Sequence, residues 1–530
     1  MLPTNLTSEP VRAPRAAGAG DWDVVVVGGG INGAGIARDL AGRGLAVLLV
    51  EQDDLASHTS SASTKLVHGG LRYLEHYEFA LVRKALAERE VLLRAAPHLI
   101  WPLEFVMPHA PSMRPSWMIR AGLFLYDHLA RRRWLPASRV LDLRRHEAGR
   151  PLRPRYVRGY AYADAWADDA RLVVANAMAA AADGARVLTR TRCVQVRRDG
   201  DGWRVRLEPS AGGAGRELRA RALVNAAGPW AARFLAEAAG APEGRGLRLI
   251  KGSHIVVRRR FDHPLAYILQ CPDRRIVFAI PYEGAFTLIG TTDVEYRGPI
   301  GQASIQDDEV RYLCDRVNDY LEQPVSPADV VWSFAGVRPL LEGDSSDPST
   351  LTRDYALELD ADKGAPLLKV WGGKLTTYRR LAEEAADMLA PRLGARRGAW
   401  TAGVPLPGGD LAGWLGGPPG RPDEDFEDFV RALARQHPEA SPAFVRRLAR
   451  AYGTAAVELL AQPLGGPVAP GVHEAELEHL RTREWALDGD DVLWRRSKLG
   501  LHLAPADAQA VRRWMERRAR PAQVPDTLPG

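Results

Sequence analysis

The sequence predicts an α/β dinucleotide-binding domain, interrupted by an antiparallel β-rich (α+β) domain and followed by a C-terminal α-helical domain. Three observations carry that prediction. Near the start, a uniformly apolar strand runs into a glycine-rich turn and a helix of small residues. Short β-branched runs with turn residues between them occupy the middle of the chain. A stretch dense in glycine and proline then separates both from helical periodicity at the end.

The opening unit is the clearest. Asp23-Val24-Val25-Val26-Val27 is β-branched and apolar, as a strand covered on both faces of a parallel sheet must be. It leads into Gly28-Gly29-Gly30-Ile31-Asn32-Gly33, a helix over 34–42, and a second strand, Ala46-Val47-Leu48-Leu49-Val50, that ends in Glu51. Gly28 permits the tight turn, Gly30 lets backbone approach a pyrophosphate, and Gly33 lets helix and strand pack closely. The helix N-terminus then offers N–H groups to the phosphates, and Glu51 accepts hydrogen bonds from a ribose. NAD and FAD fit such a unit equally well.

Residues 57–64 are rich in Ser and Thr and lead to Lys65-Leu66-Val67-His68-Gly69-Gly70-Leu71-Arg72-Tyr73, after which 79–93 reads as an amphipathic helix. Residues 161–183 read as a helix and 185–207 as two short strands. Ala222-Leu223-Val224-Asn225-Ala226-Ala227-Gly228 repeats the strand-into-glycine pattern. From Lys251 the pattern becomes antiparallel: strands over 252–257 and 266–270, and a hairpin of 275–280 with 286–290 about Glu283-Gly284. An α-like segment over 306–321 interrupts it. Near 345 the α/β pattern returns, ending at Gly372-Gly373-Lys374 before a helix over 375–389. Between 403 and 422, twelve of twenty residues are Gly or Pro, so no regular element is expected there. Beyond it, 426–435, 443–452 and 507–517 read as helices. The expected boundaries are a disordered tail, 1–21; a dinucleotide domain, 22–100, 156–250 and 345–402; a substrate domain, 101–155 and 251–344; a linker, 403–422; and a helical domain, 423–530.

Composition excludes several classes. At 530 residues, 46% hydrophobic and 26% charged, the chain is neither disordered, collagen-like nor a coiled coil, and it is long enough for two or three domains. It contains no apolar run of about eighteen residues, so no membrane-spanning helix is expected, and the first residues lack the apolar core of a signal peptide. Cys193, Cys271 and Cys314 have no metal-site spacing and read as buried small hydrophobes. Net charge is +6, yet residues 111–160 hold twelve arginines against three acids. Such a concentration suits nucleic acid, an anionic membrane surface, an anionic substrate or a plainly solvated face. Nucleic acid is set aside, because no recognised binding module accompanies the charge. Within this region Trp117-Met118-Ile119, Leu123-Phe124-Leu125-Tyr126 and Arg131-Arg132-Arg133-Trp134 form an interfacial helix pattern, apolar and aromatic with a basic end. A helix buried under the substrate domain competes with that reading.

Longer motifs add a resemblance. Ser60-Ser61-x-Ser63-x-Lys65, His68-Gly69-Gly70-x-Arg72-Tyr73 and Gly372-Gly373-Lys374-Leu375-Thr376-Thr377-Tyr378 are very similar to the FAD-dependent, aerobic, quinone-linked glycerol-3-phosphate dehydrogenases. These lie within the D-amino-acid-oxidase-like flavoproteins. Lys251-Gly252-Ser253-His254, Gly290-Thr291-Thr292-Asp293, Gly336-Val337-Arg338-Pro339-Leu340, Thr352-Arg353-Asp354-Tyr355, Glu484-Trp485-Ala486 and Asp491-Val492-Leu493-Trp494-Arg495-Arg496 resemble the same family, in one order over about 22–510.

The resemblance implies a Rossmann-like FAD domain and FAD held non-covalently by Gly28, Gly30, Asn32, Gly33, Glu51, Ser60, Ser61, Lys65, His68, Gly228, Gly373, Lys374, Leu375 and Thr376. It implies oxidation of sn-glycerol 3-phosphate to dihydroxyacetone phosphate, with electrons passed to a membrane quinone. The enzyme would be cytoplasmic, attached peripherally to the anionic inner face of the cell membrane. A homodimer is allowed, and no metal is implied. Two alternatives stay open: an oxidase using dioxygen, and a non-catalytic flavoprotein with a basic binding surface. The catalytic candidates are His68, Arg72, His254 and Arg338; the substrate-binding candidates are Arg72, Tyr73, Arg338, Arg353 and Lys374. Alcohol oxidation needs a hydride acceptor, a base and charges that fix the substrate. A histidine side chain by default suits proton transfer near neutral pH, and His68 sits beside two glycines that let backbone pass close to a flavin ring. The guanidinium forks of Arg338 and Arg353 match phosphate oxygens. His254 is the rival base, ranked below His68.

Overall fold

Val24, Val25 and Val26 are fully buried, and their surroundings explain why. In the computed structural model, which describes residues 21–111, 113–240, 246–341, 354–362 and 364–518, the strand Asp21–Val27 lies between Arg216–Asn225 and Val47–Val50, parallel to both. Leu367–Trp371 and Arg186–Leu188 extend the parallel run at its two ends. Helices Ile31–Gly42, Asp169–Ala182 and Tyr378–Leu389 cover one face, where Val24, Val26, Leu40, Val174 and Leu381 share a core. The helix Ala231–Glu237 and the antiparallel pair Thr191–Asp199 and Gly202–Pro209 cover the other. Both faces are therefore apolar, as the valine run requires.

A second, largely antiparallel sheet carries the long strands Ile100–His109, Arg158–Ala167, Leu247–Arg258 and Val330–Leu341 together with the hairpin Ile276–Tyr282 and Phe286–Gly290. Glu283 and Gly284, at φ +46° and +70°, make the predicted hairpin turn. The helix Asp307–Asn318 packs on one face of this sheet; Ser116–His128 and Phe79–Ala95 pack on the other. Beyond residue 420, amphipathic helices including Pro422–Gln436, Pro442–Tyr452 and Pro505–Glu516 close around a separate core of Phe426, Phe429, Leu448, Val511 and Trp514. No helix of the described residues is long and apolar enough to cross a membrane.

Several expectations need correction. Asp21, assigned to the tail, opens the first strand; residues 1–20, expected as the rest of that tail, lie outside the described residues. Residues 161–167, read as helix, belong to the strand Arg158–Ala167, and the helix begins only at Asp169. That strand pairs with Ile100–His109, so it belongs to the second sheet and not to the dinucleotide domain. Residues 185–207 hold three strands rather than two. The Gly/Pro-rich stretch contains a short helix, Leu411–Leu415, whose N-cap Asp410 accepts from the Gly413 N–H, and its Leu406 and Leu411 are buried in neighbouring cores. The C-terminal domain also has helices Ala455–Ala461 and Glu474–Arg483, both unforeseen.

Candidate active site

Where the central parallel strands end, the glycine turn opens a cavity of about 280 Å³, lined among others by Gly28, Gly30, Asn32, Glu51, Gly228 and Gly373. The turn cannot be built from other residues. Gly28 has φ +112°, and a Cβ on Gly33 would lie 1.9 Å from the Gly28 carbonyl oxygen. Glu51 is buried; its carboxylate accepts from the N–H groups of Gly29 (2.6 Å) and Asp53 (2.8 Å). Burial raises its pKa, against those two donors. Asn32 donates to the carbonyl of Gly372 (3.0 Å), tying the first glycine turn to the last one, while its buried Oδ1 has no protein partner. Ser60 Oγ accepts from the Ile31 N–H (3.0 Å) at the helix N-terminus. A glycine cradle, a buried carboxylate at the end of the second strand and an orphaned amide oxygen in one cleft suit an FAD.

The second sheet reaches the cleft at one residue. Its strand Val330–Leu341 carries Arg338 beside Pro339, which lines the cleft with Gly373. Arg338 donates to Asp293 (2.6 Å) and to Thr291 Oγ1 (3.1 Å), and retains 28% side-chain exposure. Both bonds aim the fork and still leave N–H groups for an anion. Arg338 pairs with Ile250 across the sheet, two residues before Gly252, whose missing side chain makes room for the guanidinium.

His68 is half-buried, and its backbone N–H donates to Thr376 Oγ1 (3.2 Å). Thus the His68 loop meets the residues after Lys374. Gly69 donates to the Tyr126 hydroxyl (2.8 Å), which in turn donates to the buried Asp164 (2.8 Å). The Lys374 ammonium lies 4.0 Å over the Tyr73 ring. Arg72 and Tyr73 sit half-buried on the 3₁₀ turn Leu71–His76.

Other candidates are placed differently. His254 is fully buried, stacked on Phe334 with ring centroids 4.8 Å apart, and its Nε2 meets Thr64 Oγ1 (2.9 Å). Burial, then Arg338 and Lys65, push its pKa well below the usual imidazole range, so it is a weak base. Lys65 is buried in an ion pair with Asp169 (2.6 Å) and also donates to the Ser61 carbonyl (3.0 Å); it does not line the cleft. Ser61 lines a neighbouring cavity of about 220 Å³ instead. Leu375 is partly buried against the core of the parallel sheet. Arg353 lies outside the described residues. The three cysteines are free thiols, with Cys193 pushed up to about 12 by burial.

The sequence assigned no part in the site to Asp293, Asp164 or His58, and placed Tyr126 only in the interfacial helix pattern. His58 lines the cleft, bonds Asp53 through Nε2 (2.8 Å) and packs on Trp230. Asp293 stood in a recognised motif, but only strand register brings it to Arg338.

Residues 23–403 match the family described as FAD dependent oxidoreductase. A glycerol-3-phosphate dehydrogenase of Pseudomonas aeruginosa is 52% identical over 499 residues, spanning 93% of this chain and 94% of that protein. A D-erythritol 1-phosphate dehydrogenase of Brucella abortus is 47% identical, spanning 93% and 97%. Among solved structures, the glycerol-3-phosphate dehydrogenase from Bacillus halodurans complexed with FAD is similar with a TM-score of 0.74 and 27% identity, covering 94% of this chain and 90% of that one.

Proposed function

This chain belongs to the FAD-dependent oxidoreductase family, and from that premise we propose that it oxidises sn-glycerol 3-phosphate to dihydroxyacetone phosphate and passes the electrons to a membrane quinone. When bound, FAD supplies the hydride acceptor. The observation that carries the substrate reading is Arg338: a guanidinium held by Asp293 and Thr291 one residue before Pro339, which lines the FAD cleft; in this reading Lys374, which stands over the Tyr73 ring, joins it. Two cations there select a phosphate-bearing alcohol over a neutral one. Arg353 joins them in this reading. His68 accepts the hydroxyl proton, and Arg72 and Tyr73 line the approach to the substrate.

Support for peripheral membrane attachment comes from the helix Ser116–His128. Ile119, Leu123 and Tyr126 bury one stripe of it, whereas Trp117 (69% exposed) and Phe124 (65%) stand in solvent with Met118 and Leu125. The turn Leu71–His76, which packs on this helix, leads into the exposed Tyr77 and Phe79. These exposed aromatic side chains, with the exposed Arg131 and Arg133 that follow the helix in sequence, suit the interface of an anionic bilayer. Tyr126 joins this helix directly to the His68–Gly69 loop, so in this reading the docking surface and the reacting centre share one structural unit.

One anaerobic experiment tests the reaction. The flavin spectrum of the purified protein is followed as glycerol 3-phosphate, D-erythritol 1-phosphate or glycerol is added. Reduction by glycerol 3-phosphate in preference to the other two is expected, followed by faster reoxidation with a quinone than with dioxygen. Preference for erythritol phosphate would replace the substrate, and faster reoxidation by dioxygen would make the enzyme an oxidase.

A further inference from the structure

The loop 53–60 forms one wall of the FAD cleft, and only the 3₁₀ turn Thr59–Ser61 in it is regular. Its Ala56 N–H donates to the Gly29 carbonyl (3.2 Å), and Ser60 receives the first N–H of the glycine-turn helix. Ala56 holds φ +61°, a left-handed backbone that an alanine keeps only where its surroundings impose it. Two residues earlier, the loop is held from the far end of the chain. Asp54, fully buried, accepts from Arg496 through both oxygens (2.6 and 2.7 Å) and from Arg495 Nε (2.6 Å). Both arginines sit on the single π-helical turn Asp491–Arg496 of the C-terminal domain. Asp491, also buried, pairs with Arg495 and with Arg190 (2.8 Å), while Glu484 pairs with Arg171 and lies beside Arg496.

Burial raises the cost of every one of these charges, and such a network yields little net stability when compared with apolar packing. What it does supply is direction. The bidentate fork of Arg496 fixes both oxygens of Asp54, and with them the path of the loop that meets the glycine turn. We propose that the C-terminal domain sets the affinity for FAD by holding the loop 53–60 in its binding shape. Arg495, Arg496 and Asp54 are positioning residues: none needs to touch the cofactor, and they act through Ala56, His58 and Ser60. The two ends of the chain are then thermodynamically coupled, and FAD in turn tightens the docking of the C-terminal domain.

The test is carried out on the full-length protein. Apoprotein and holoprotein of Asp54→Asn, Arg495→Gln and Arg496→Gln are compared with Arg447→Gln, which breaks the Arg447–Glu476 pair inside the C-terminal domain, away from the loop. FAD affinity is measured by fluorescence titration, and the rise in Tm on adding FAD is measured separately. The three loop-side variants are expected to weaken FAD binding about tenfold or more and to shrink the FAD-induced rise in Tm, within the usual range of coupling between sites. Arg447→Gln is expected to lower Tm with FAD affinity unchanged. If Asp54→Asn and Arg495→Gln bind FAD as tightly as Arg447→Gln does, the network is merely structural and the proposal is overturned. Should Arg496→Gln fail to fold, Asp54→Asn, which keeps the shape of the side chain, decides the matter alone.

Discussion

Gly252→Ala separates the aim of Arg338 from the stability of the strand that carries it. Gly252 has no positive φ, so alanine fits its backbone in the strand Leu247–Arg258. The new Cβ would lie 2.2 Å from Arg338 Nη2, 3.0 Å from its Cζ and 2.7 Å from Thr291 Oγ1. All three atoms belong to movable side chains, so the conflict is relieved by swinging the guanidinium away. An ordinary contact needs about 3.4 Å or more, which displaces the fork by roughly 1 Å. A misplacement of that size costs on the order of 10²-fold in a positioned reaction, or about 2.7 kcal/mol. The assay is steady-state oxidation of glycerol 3-phosphate with a saturating soluble electron acceptor, beside a thermal melt. The expected outcome is kcat/KM lowered about a hundredfold with most of the loss in KM. The melt should fall by no more than about 3 °C, since the strand stays packed. A variant with wild-type kcat/KM would refute the placement of phosphate on Arg338. One that melts far lower would show that the strand, and not the fork, needed the glycine.

Three further outcomes are expected. His68→Gln should slow anaerobic flavin reduction by roughly 10²–10⁴-fold with FAD still bound; an unchanged rate would remove His68 as the base. Replacing Trp117 and Phe124 with Ser, together with Arg131→Gln and Arg133→Gln, should weaken flotation with anionic vesicles while activity with a soluble acceptor persists. Equal flotation would place the docking surface elsewhere. Arg132 is better left alone, because it pairs with Asp127 inside the fold. His98 is buried, and burial, with Arg171 and Arg450 nearby, lowers its pKa to about 3. It therefore stays neutral in the fold while the unfolded chain takes up a proton below about pH 6.5. Its contribution is complete above that pH and is lost as pH falls toward 3, by at most about 1.4 kcal/mol per unit. His98→Gln should flatten the decline of Tm between pH 6.5 and 4; an identical decline would show that other groups govern it.

What the sequence determined by itself was local. The valine run, the glycine turn and Glu51 specify a β-α-β unit because period, turn geometry and chain reach all lie within one stretch of about thirty residues. The hairpin at Glu283-Gly284 was legible for the same reason. The segment 161–167 was not. Ala161, Ala163, Ala165 and Ala167 suit a helix by propensity, yet each is buried in a strand, because pairing with Ile100–His109 and covering on both faces outweigh a few tenths of a kcal/mol per residue. The site divides along the same line. Gly28, Gly33, Glu51, His68, Arg338 and Lys374 could be named from motifs, but their partners could not. Arg338 is held by an aspartate 45 residues away, Lys65 is committed to one 104 away, and Asp54 is clamped by an arginine 442 residues along the chain. Which charges are free to meet a substrate and which neutralise one another depends on desolvation and on strand register. Neither exists until distant segments have packed together.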